Sequence, residues 1–389
     1  MAILNSYKRF VSAALGDAFW KIGIAVAAFY AVRTQMSPLD SLHVLAWGFV
    51  FGAILKLIPH LIALKSKWPL LRAKIDLKDP LVHKMFLLAI PLIIGIVVSE
   101  SRGVYLFRLA DAPSIAVEGS RTALKFSRLI GTSLIQIFPY ALSIGIFPYL
   151  ADMARDKDRQ PFTDTFMSAM RVCFFVFGPL TAILIATRFE LLRAVWESGN
   201  LKEADTLTMS LPFIAFTLGL IAFSCEMMLS QTFYAMTNAW TPTLIGVGTT
   251  VVWIIAATAG VHYGAAAGWG LAAIAGAESL SKTIKCIVMW FFLRPHLGNV
   301  KARENLLFLG KVIVGSLLSA AVAALLAGVL APDGAMESKM DKIKMLLAVT
   351  VSGGVGVLVY LIFGGLTRMR EVQTALAFAG KIKGKMTGC

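Results

Sequence analysis

Ten apolar stretches of about 20 residues each fill this chain almost end to end, and each is long enough as a helix to cross the roughly 30 Å hydrocarbon core of a bilayer. They fall near residues 11–32, 42–63, 85–107, 129–151, 168–187, 207–234, 242–261, 266–292, 306–331 and 344–366. Lipid offers no partner to a stray backbone N–H or C=O, so only helices or a closed barrel can span it. The stretches are continuously apolar and lack the two-residue alternation of barrel strands. The expected fold is an all-α polytopic membrane protein with about ten transmembrane helices. Composition agrees: 58% of residues are hydrophobic, 15% are charged, and the mean hydropathy is +0.75. A water-soluble chain of 389 residues could not hide that much apolar surface.

The net charge of +15 would point to nucleic acid in a soluble protein. Here the basic residues gather in short connections, as the positive-inside rule requires. Lys65, Lys67, Arg72, Lys74, Lys78 and Lys84 crowd the second connection; Arg155, Lys157 and Arg159 sit in the fourth; Arg294, Lys301 and Arg303 sit in the eighth. Arg368, Arg370, Lys381, Lys383 and Lys385 form the tail, and Lys8 and Arg9 precede the first span. With ten alternating spans these all lie on one side. Both termini are therefore expected in the cytoplasm, with no nucleic-acid partner.

The four cysteines have neither metal-ligand spacing nor a disulfide pattern. Walker A, H-E-x-x-H and G-x-S-x-G motifs are absent, and the five histidines are scattered. No catalytic residue, metal site or cofactor is expected. The first span carries Asp17 and Lys21 and is a poor signal peptide. Residues 64–84, 108–128 and 188–206 read as the longest connections, the last as an amphipathic interfacial turn broken at Gly199-Asn200. Pro59, Pro91, Pro139, Pro148, Pro179 and Pro212 fall within spans or at their ends, which predicts a bent, cavity-forming bundle. Gly260, Gly264 and Gly268 read as close helix packing.

Ionisable residues at membrane depth are costly and default to functional candidates. They are Lys56, Glu100, Arg102, Arg171, Glu226, Glu278, Lys282, Lys285 and Lys311. Arg171, Lys311 and Lys285 lie where they can snorkel towards a span end. Glu278 and Lys282, four apart, read as a neutralising pair on one helix face, with structural and functional roles weighted equally. Arg102, Arg108, Arg121, Lys125 and Arg128 cluster between the third and fourth spans, opposed locally by Glu100, Asp111 and Glu118. That side should be poor in positive charge. Arginine grips phosphate oxygens in two-pronged fashion, so an anionic headgroup is the natural partner. Arg108 and Arg121 are assigned to ordinary loop ion pairs; Arg102 and Arg128, tucked against spans, are assigned to binding.

The segments SQTFYAMTNAWTP (230–242) and SRLIGTSL (127–134), with the stretch 178–200, together resemble the MurJ (MviN) lipid II flippase family. The segment SQTFYAMTNAWTP (230–242) is similar to its F-Y-A-x-x-D-x-x-T-P element: Phe233, Tyr234, Ala235, Thr241 and Pro242 match, and Asn238 replaces the Asp. The segment beginning SRLIGTSL (127–134) resembles the span that opens on D-R-L; Arg128 and Leu129 match, and Ser127 replaces the Asp. Residues 178–200 resemble the family's proline-bearing span and the loop after it. Trp47, Gly48 and Gly52 begin an element whose Gln position is taken by Lys56, and Gly270, Leu271 and Ala272 match a further element into which Glu278 intrudes. These matches occur in the family's order over nearly the whole chain.

The resemblance implies membership of the multidrug, oligosaccharide and lipid exporter superfamily, whose members carry two six-helix lobes and two additional helices. On this register the chain resembles spans five to fourteen, with the first four helices missing. It would then comprise the last two helices of an incomplete N-lobe and a cytoplasmic linker (1–80), a six-helix C-lobe (81–300), and two additional helices with a basic cytoplasmic tail (301–389). The implied function is a lipid II flippase of the bacterial inner membrane, working by alternating access in cell-wall synthesis. The implied partners are an undecaprenyl-linked lipid, membrane lipids and cell-wall synthesis proteins, with the membrane potential or an ion as candidate driving force. The resemblance assigns Arg128 to the headgroup site; burial of charge adds Arg102 and Lys56, and proximity adds Lys125. The alternatives are another polysaccharide-lipid or drug exporter, or a non-transporting fragment or scaffold.

Overall fold

The computed structural model describes residues 10–65, 79–115, 119–197, 201–332, 334 and 338–373, and the regular elements among them are helices. In chain order they are α1 (Phe10–Arg33), α2 (Pro38–Leu64), α3 (Pro80–Ala110), α4 (Ser120–Met153), α5 (Gln160–Ala186), α6 (Arg188–Trp196) and α7 (Glu203–Leu218). There follow α8 (Leu220–Ala235), α9 (Trp240–Gly264), α10 (Gly270–Leu293), a 3₁₀ turn (Arg294–His296), α11 (Ala302–Leu330) and α12 (Lys339–Leu366). Among the described residues, eight segments are long and apolar enough to cross a membrane: α2, α3, α4, α5, α7 with α8, α9, α11 and α12. The other two expected spans, α1 and α10, are helices of 24 residues, about 36 Å at 1.5 Å per residue. α10 carries Glu278, Lys282 and Lys285 in its middle. The calls on Lys8, Arg9, Lys67, Arg72, Lys74, Lys78, Glu118, Gly199, Asn200, Lys381, Lys383, Lys385 and Cys389 lie outside the described residues.

Helix starts follow local capping chemistry. Ser37 Oγ accepts from Asp40 N–H at 3.2 Å, with Pro38 opening α2. The Asp205 carboxylate accepts from Lys202 N–H at 2.8 Å at the start of α7. The connection expected over 108–128 is shorter than the charge pattern implies. Gly119, at φ +87°, turns the chain, and α4 starts at Ser120. Arg121, Lys125 and Arg128 therefore lie on helix, at i, i+4 and i+7 on one face. The 188–206 turn likewise contains a true helix, α6, which buries Leu192 and stacks Trp196 on Phe126 at 4.1 Å.

The chain divides into two compact units, one up to His83 and one from Lys84. In the first, α1 and α2 meet through glycines: a Cβ on Gly23 would lie 2.6 Å from Gly52 Cα, and one on Gly52 would lie 2.7 Å from Trp20 O. In the second, α5 packs against α11, and α11 also against α12. Phe162, Phe166, Phe177, Phe213 and Phe233 are fully buried in its core. The α4–α5 and α10–α11 connections meet at one end, where Gln160 Nε2 donates to Asn299 O at 3.1 Å and Lys301 reaches Asp164 at 3.1 Å. Elsewhere Arg193, beyond α5, donates to Gly334 O at 2.5 Å, joining α6 to the α11–α12 connection.

α7 and α8 form one crossing broken at Gly219. α10 comes so close there that a Cβ on Gly219 would collide with the Ser279 side chain, while Ser279 Oγ donates to Ala215 O at 2.6 Å. Gly219→Ala should therefore lower thermal stability in detergent by about 1–3 kcal/mol, the usual cost of overpacking. Gly103→Ala in α3, where a Cβ meets open space, should leave it unchanged or slightly raised. Scanning fluorimetry of both variants checks the contrast.

Candidate functional site

Four helices of the second unit bring ionisable side chains together. α10 sets Glu278, Lys282 and Lys285 along one side at i, i+4 and i+7. α8 supplies Glu226, α4 Arg128 and α3 Arg102. Glu226 accepts a lysine on each oxygen: Lys282 Nζ at 2.7 Å and Lys285 Nζ at 2.5 Å. Glu278 is 2% exposed; its Oε1 accepts from Arg128 Nη2 at 2.8 Å, and its Oε2 is buried without a hydrogen-bond partner. Arg102 lies over the Trp253 ring, 4.6 Å from its centroid, within electrostatic reach of Glu278, Arg128 and Glu226. Its Nε and Nη2 are buried without hydrogen-bond partners. Four cations thus face two carboxylates, an unbalanced positive charge where charge is expensive.

Two cavities open on this network. One, of about 430 Å³, lies between α3, α8, α9 and α10 and is lined by Arg102, Glu226, Lys282 and Lys285 with Ser99, Ser230, Tyr234, Thr243 and Thr250. The other, of about 290 Å³, is lined by Lys125, Arg128, Thr132 and Gln136 with Leu106 and Phe107. A third, strongly apolar groove of about 590 Å³ runs between α5, α8, α10 and α11 past Met170, Phe174, Leu229, Ile287, Trp290 and Phe308.

The structure corrects the expected Glu278–Lys282 pair. The two share a helix face, as their spacing predicts, but they do not neutralise each other. Partners on neighbouring helices reach each charge more directly: Arg128 takes Glu278, and Glu226 takes Lys282. Lys285, expected to snorkel, is held by Glu226 as well. Arg128 and Lys125 line one cavity, and Arg102 another. Lys56 belongs to the first unit, 5.6 Å from the Trp20 ring centroid. Arg121 pairs with Asp111 across the α3–α4 connection, as its assignment to a loop ion pair anticipates. Arg171 bridges to Glu371 at 2.7 Å, and Lys311 donates to Thr367 O at 2.7 Å, both just past α12. Glu226 is the residue that sequence reasoning left without a role, although its position among the buried charges was its signal.

The motif residues have physical tasks. Phe233 and Ala235 are buried, Tyr234 and Pro242 line the larger polar cavity, and Thr241 is the capped residue of α9. Asn238 Oδ1 accepts from Thr241 N–H at 3.1 Å while its Nδ2 donates to Thr241 Oγ1 at 2.8 Å, so the replacement for Asp keeps a helix cap. Ser127 Oγ lies 2.7 Å from Ala123 O and 2.9 Å from Met209 O. A hydroxyl can donate there; an aspartate would face two carbonyl oxygens.

Apolar helices around an unbalanced cationic interior define a polytopic membrane protein. The profile of the lipid II flippase MurJ family matches residues 1–341, and the chain belongs to that family. It is 23% identical over 295 residues to a probable lipid II flippase MurJ of Treponema pallidum, covering 75% of this chain and 54% of that protein. It is 25% identical over 327 residues to a probable lipid II flippase MurJ of Vibrio cholerae, covering 82% and 59% respectively. A solved structure of the lipid II flippase MurJ in an inward closed conformation shares the fold, with a TM-score of 0.69 and 21% identity over 94% of this chain and 69% of that one. The chain spans about half the length of the curated relatives it matches.

Double-mutant cycles on stability should show which charges are coupled. Glu278→Ala should cost about 3 kcal/mol, the low end for breaking a buried pair, because Arg128 is partly exposed. Arg128→Met with Glu278→Leu should recover most of that loss. The Glu278–Lys282 cycle should give a coupling near zero, and the Glu226–Lys285 cycle a strong one.

Proposed function

We propose that this chain works in moving lipid II, an undecaprenyl-pyrophosphate-linked peptidoglycan precursor, across the bacterial inner membrane by alternating access. The observation that carries this reading is the unbalanced positive charge at membrane depth, beside cavities and an apolar groove. Family membership supplies the lipid class. No bond is made or broken, so the activity is transport. Arg128 and Lys125 attract the pyrophosphate, with Arg128 placed by the D-R-L resemblance. The polyprenyl chain fits the groove lined by Met170, Phe174 and Trp290. The driving force is assigned to the membrane potential or an ion, and cell-wall synthesis proteins are the expected protein partners. In this reading residues 1–80 belong to an N-lobe, 81–300 form the C-lobe, and 301–389 add two helices and the tail.

Binding is tested first. In the background of Glu278→Gln, which removes the buried carboxylate's charge, Arg128→Ala should weaken lipid II binding about tenfold, the loss of about 1.4 kcal/mol expected for a charged contact. Arg128→Lys should restore it only in part, because an ammonium cannot make the two-pronged contact. Equal binding by all variants removes Arg128 from the site. Complementation of flippase-depleted cells by this chain alone tests transport; growth supports it, and arrest with the protein present at normal level favours the scaffold reading.

Orientation is also part of the proposal, with both termini in the cytoplasm. It rests on the loop charge and on the shared end of the α4–α5 and α10–α11 connections. In a cysteine-free background, a cysteine at Asp156 should be shielded from an impermeant thiol reagent in intact cells, and one at Ser338 should be labelled. The reverse pattern overturns the orientation.

A further inference from the structure

We propose that the cavity between α3, α8, α9 and α10 is a binding site for a phosphate-class dianion, held by Arg102, Lys282 and Lys285 and complete within the second unit. It is separate from the Arg128 cavity, and it deepens the transport reading by giving the phosphate chemistry a second seat.

Charge is the first argument. Arg102, Lys282 and Lys285 line the cavity against one carboxylate, Glu226, while Glu278 is engaged with Arg128. Both Glu226 oxygens already accept a lysine, at 2.7 and 2.5 Å. Glu226 is the one carboxylate among the described lining residues, and each of its oxygens already faces an ammonium, which disfavours a cation there. Two positive charges remain uncompensated in a low-dielectric setting, and an anion is what would balance them.

Geometry is the second. The unpartnered Arg102 atoms, Nε and Nη2, are the two donors on one edge of the guanidinium. An edge of that kind grips two oxygens of a phosphate at once, and a turn of the Arg102 side chain brings it into the cavity that the residue lines. Trp253, fully buried, fixes the plane of the group from 4.6 Å. Ser99, one turn before Arg102, and Ser230, Tyr234 and Thr243 add hydroxyls to the wall. Gly246 leaves room for Lys285: a Cβ there would lie 3.2 Å from its Nζ. The volume of about 430 Å³ is many times the roughly 30 Å³ share of one water, enough for a pyrophosphate and its solvent.

The test uses the full chain in phosphate-free maltoside detergent, titrated with inorganic pyrophosphate and, separately, with farnesyl pyrophosphate. Heat and tryptophan fluorescence are recorded, with Trp253→Phe identifying the Trp253 contribution. Wild type should bind with one site per chain. Arg102→Gln should weaken binding at least tenfold and Arg102→Lys by less. Lys282→Gln with Lys285→Gln should act like Arg102→Gln. Glu226→Gln should tighten binding several-fold, because it removes the negative charge facing the ligand. If the lysine variants fail to fold, the Arg102 pair and Ser99→Ala carry the test. Tighter binding of farnesyl pyrophosphate identifies a lipid-linked source, and equal binding a free phosphate. No saturable binding of either probe at millimolar concentration overturns the site. So does an unchanged Kd in Arg102→Gln, or Na⁺ binding that Glu226→Gln abolishes. Binding without complementation sinks the transport reading alone, and complementation without binding sinks this site alone.

Discussion

Glu226 gripping two lysines is the interaction on which the charged interior depends. A carboxylate at membrane depth is tolerable only where its charge is met on the spot, and here it is met twice. That choice fixes the others. With Lys282 and Lys285 drawn to α8, Glu278, one turn earlier on α10, is not cancelled by its own helix and takes Arg128 of α4. Arg102 is then left with the face of Trp253 and no carboxylate of its own. The positive surplus of the site is thus a consequence of how the two carboxylates are shared.

The frame that holds these charges is made of small residues and hydroxyls, because apolar side chains gain nothing by leaving lipid for one another. Serine hydroxyls on one helix donate to backbone carbonyls of the next. Ser127 reaches Met209 O at 2.9 Å, Ser279 reaches Ala215 O at 2.6 Å, Ser281 reaches Thr249 O at 2.8 Å and Ser319 reaches Gly356 O at 2.7 Å. These tie α4 to α7, α10 to both α7 and α9, and α11 to α12. Two of the four come from α10, the helix that also carries three of the buried charges. Both serines lie between Glu278 and Lys282, so α10 is held to α7 and α9 within the charged stretch, which keeps Lys282 and Lys285 aimed at Glu226.

The membrane class, most spans and the family were legible in the sequence, because hydropathy and motif order are local signals. Element edges were less so: charges at 121, 125 and 128 cut the hydropathy window, although their spacing was itself helical. The partners of the buried charges were not legible. Spacing identifies neighbours on one helix, so it offered Lys282 to Glu278. It carries no information on which helix lies alongside, and Arg128 and Glu278 are 150 positions apart. Arg102 stands out from charge at depth, and Arg128 from the basic cluster and the D-R-L resemblance. Glu226 stands out by charge at depth too, but its lysines sit 56 and 59 positions later, where spacing gives no link.

α8 and α10 have two working sides. Glu226 and Lys285 line the polar cavity, and their chain neighbours Cys225 and Cys286 line the apolar groove. Adjacent helix positions differ by about 100°, so one short stretch of each helix faces both environments. A shift or rotation of α8 or α10 therefore changes the two together. The Glu226–lysine grip joins the two helices beside both environments, and Ser279, packed on Gly219 and bonded to Ala215 O, ties α10 to α7 across the break in that crossing. On the proposed transport reading, a headgroup in the polar cavity and an apolar chain in the groove would both lie against the same two helices that balance the buried charge.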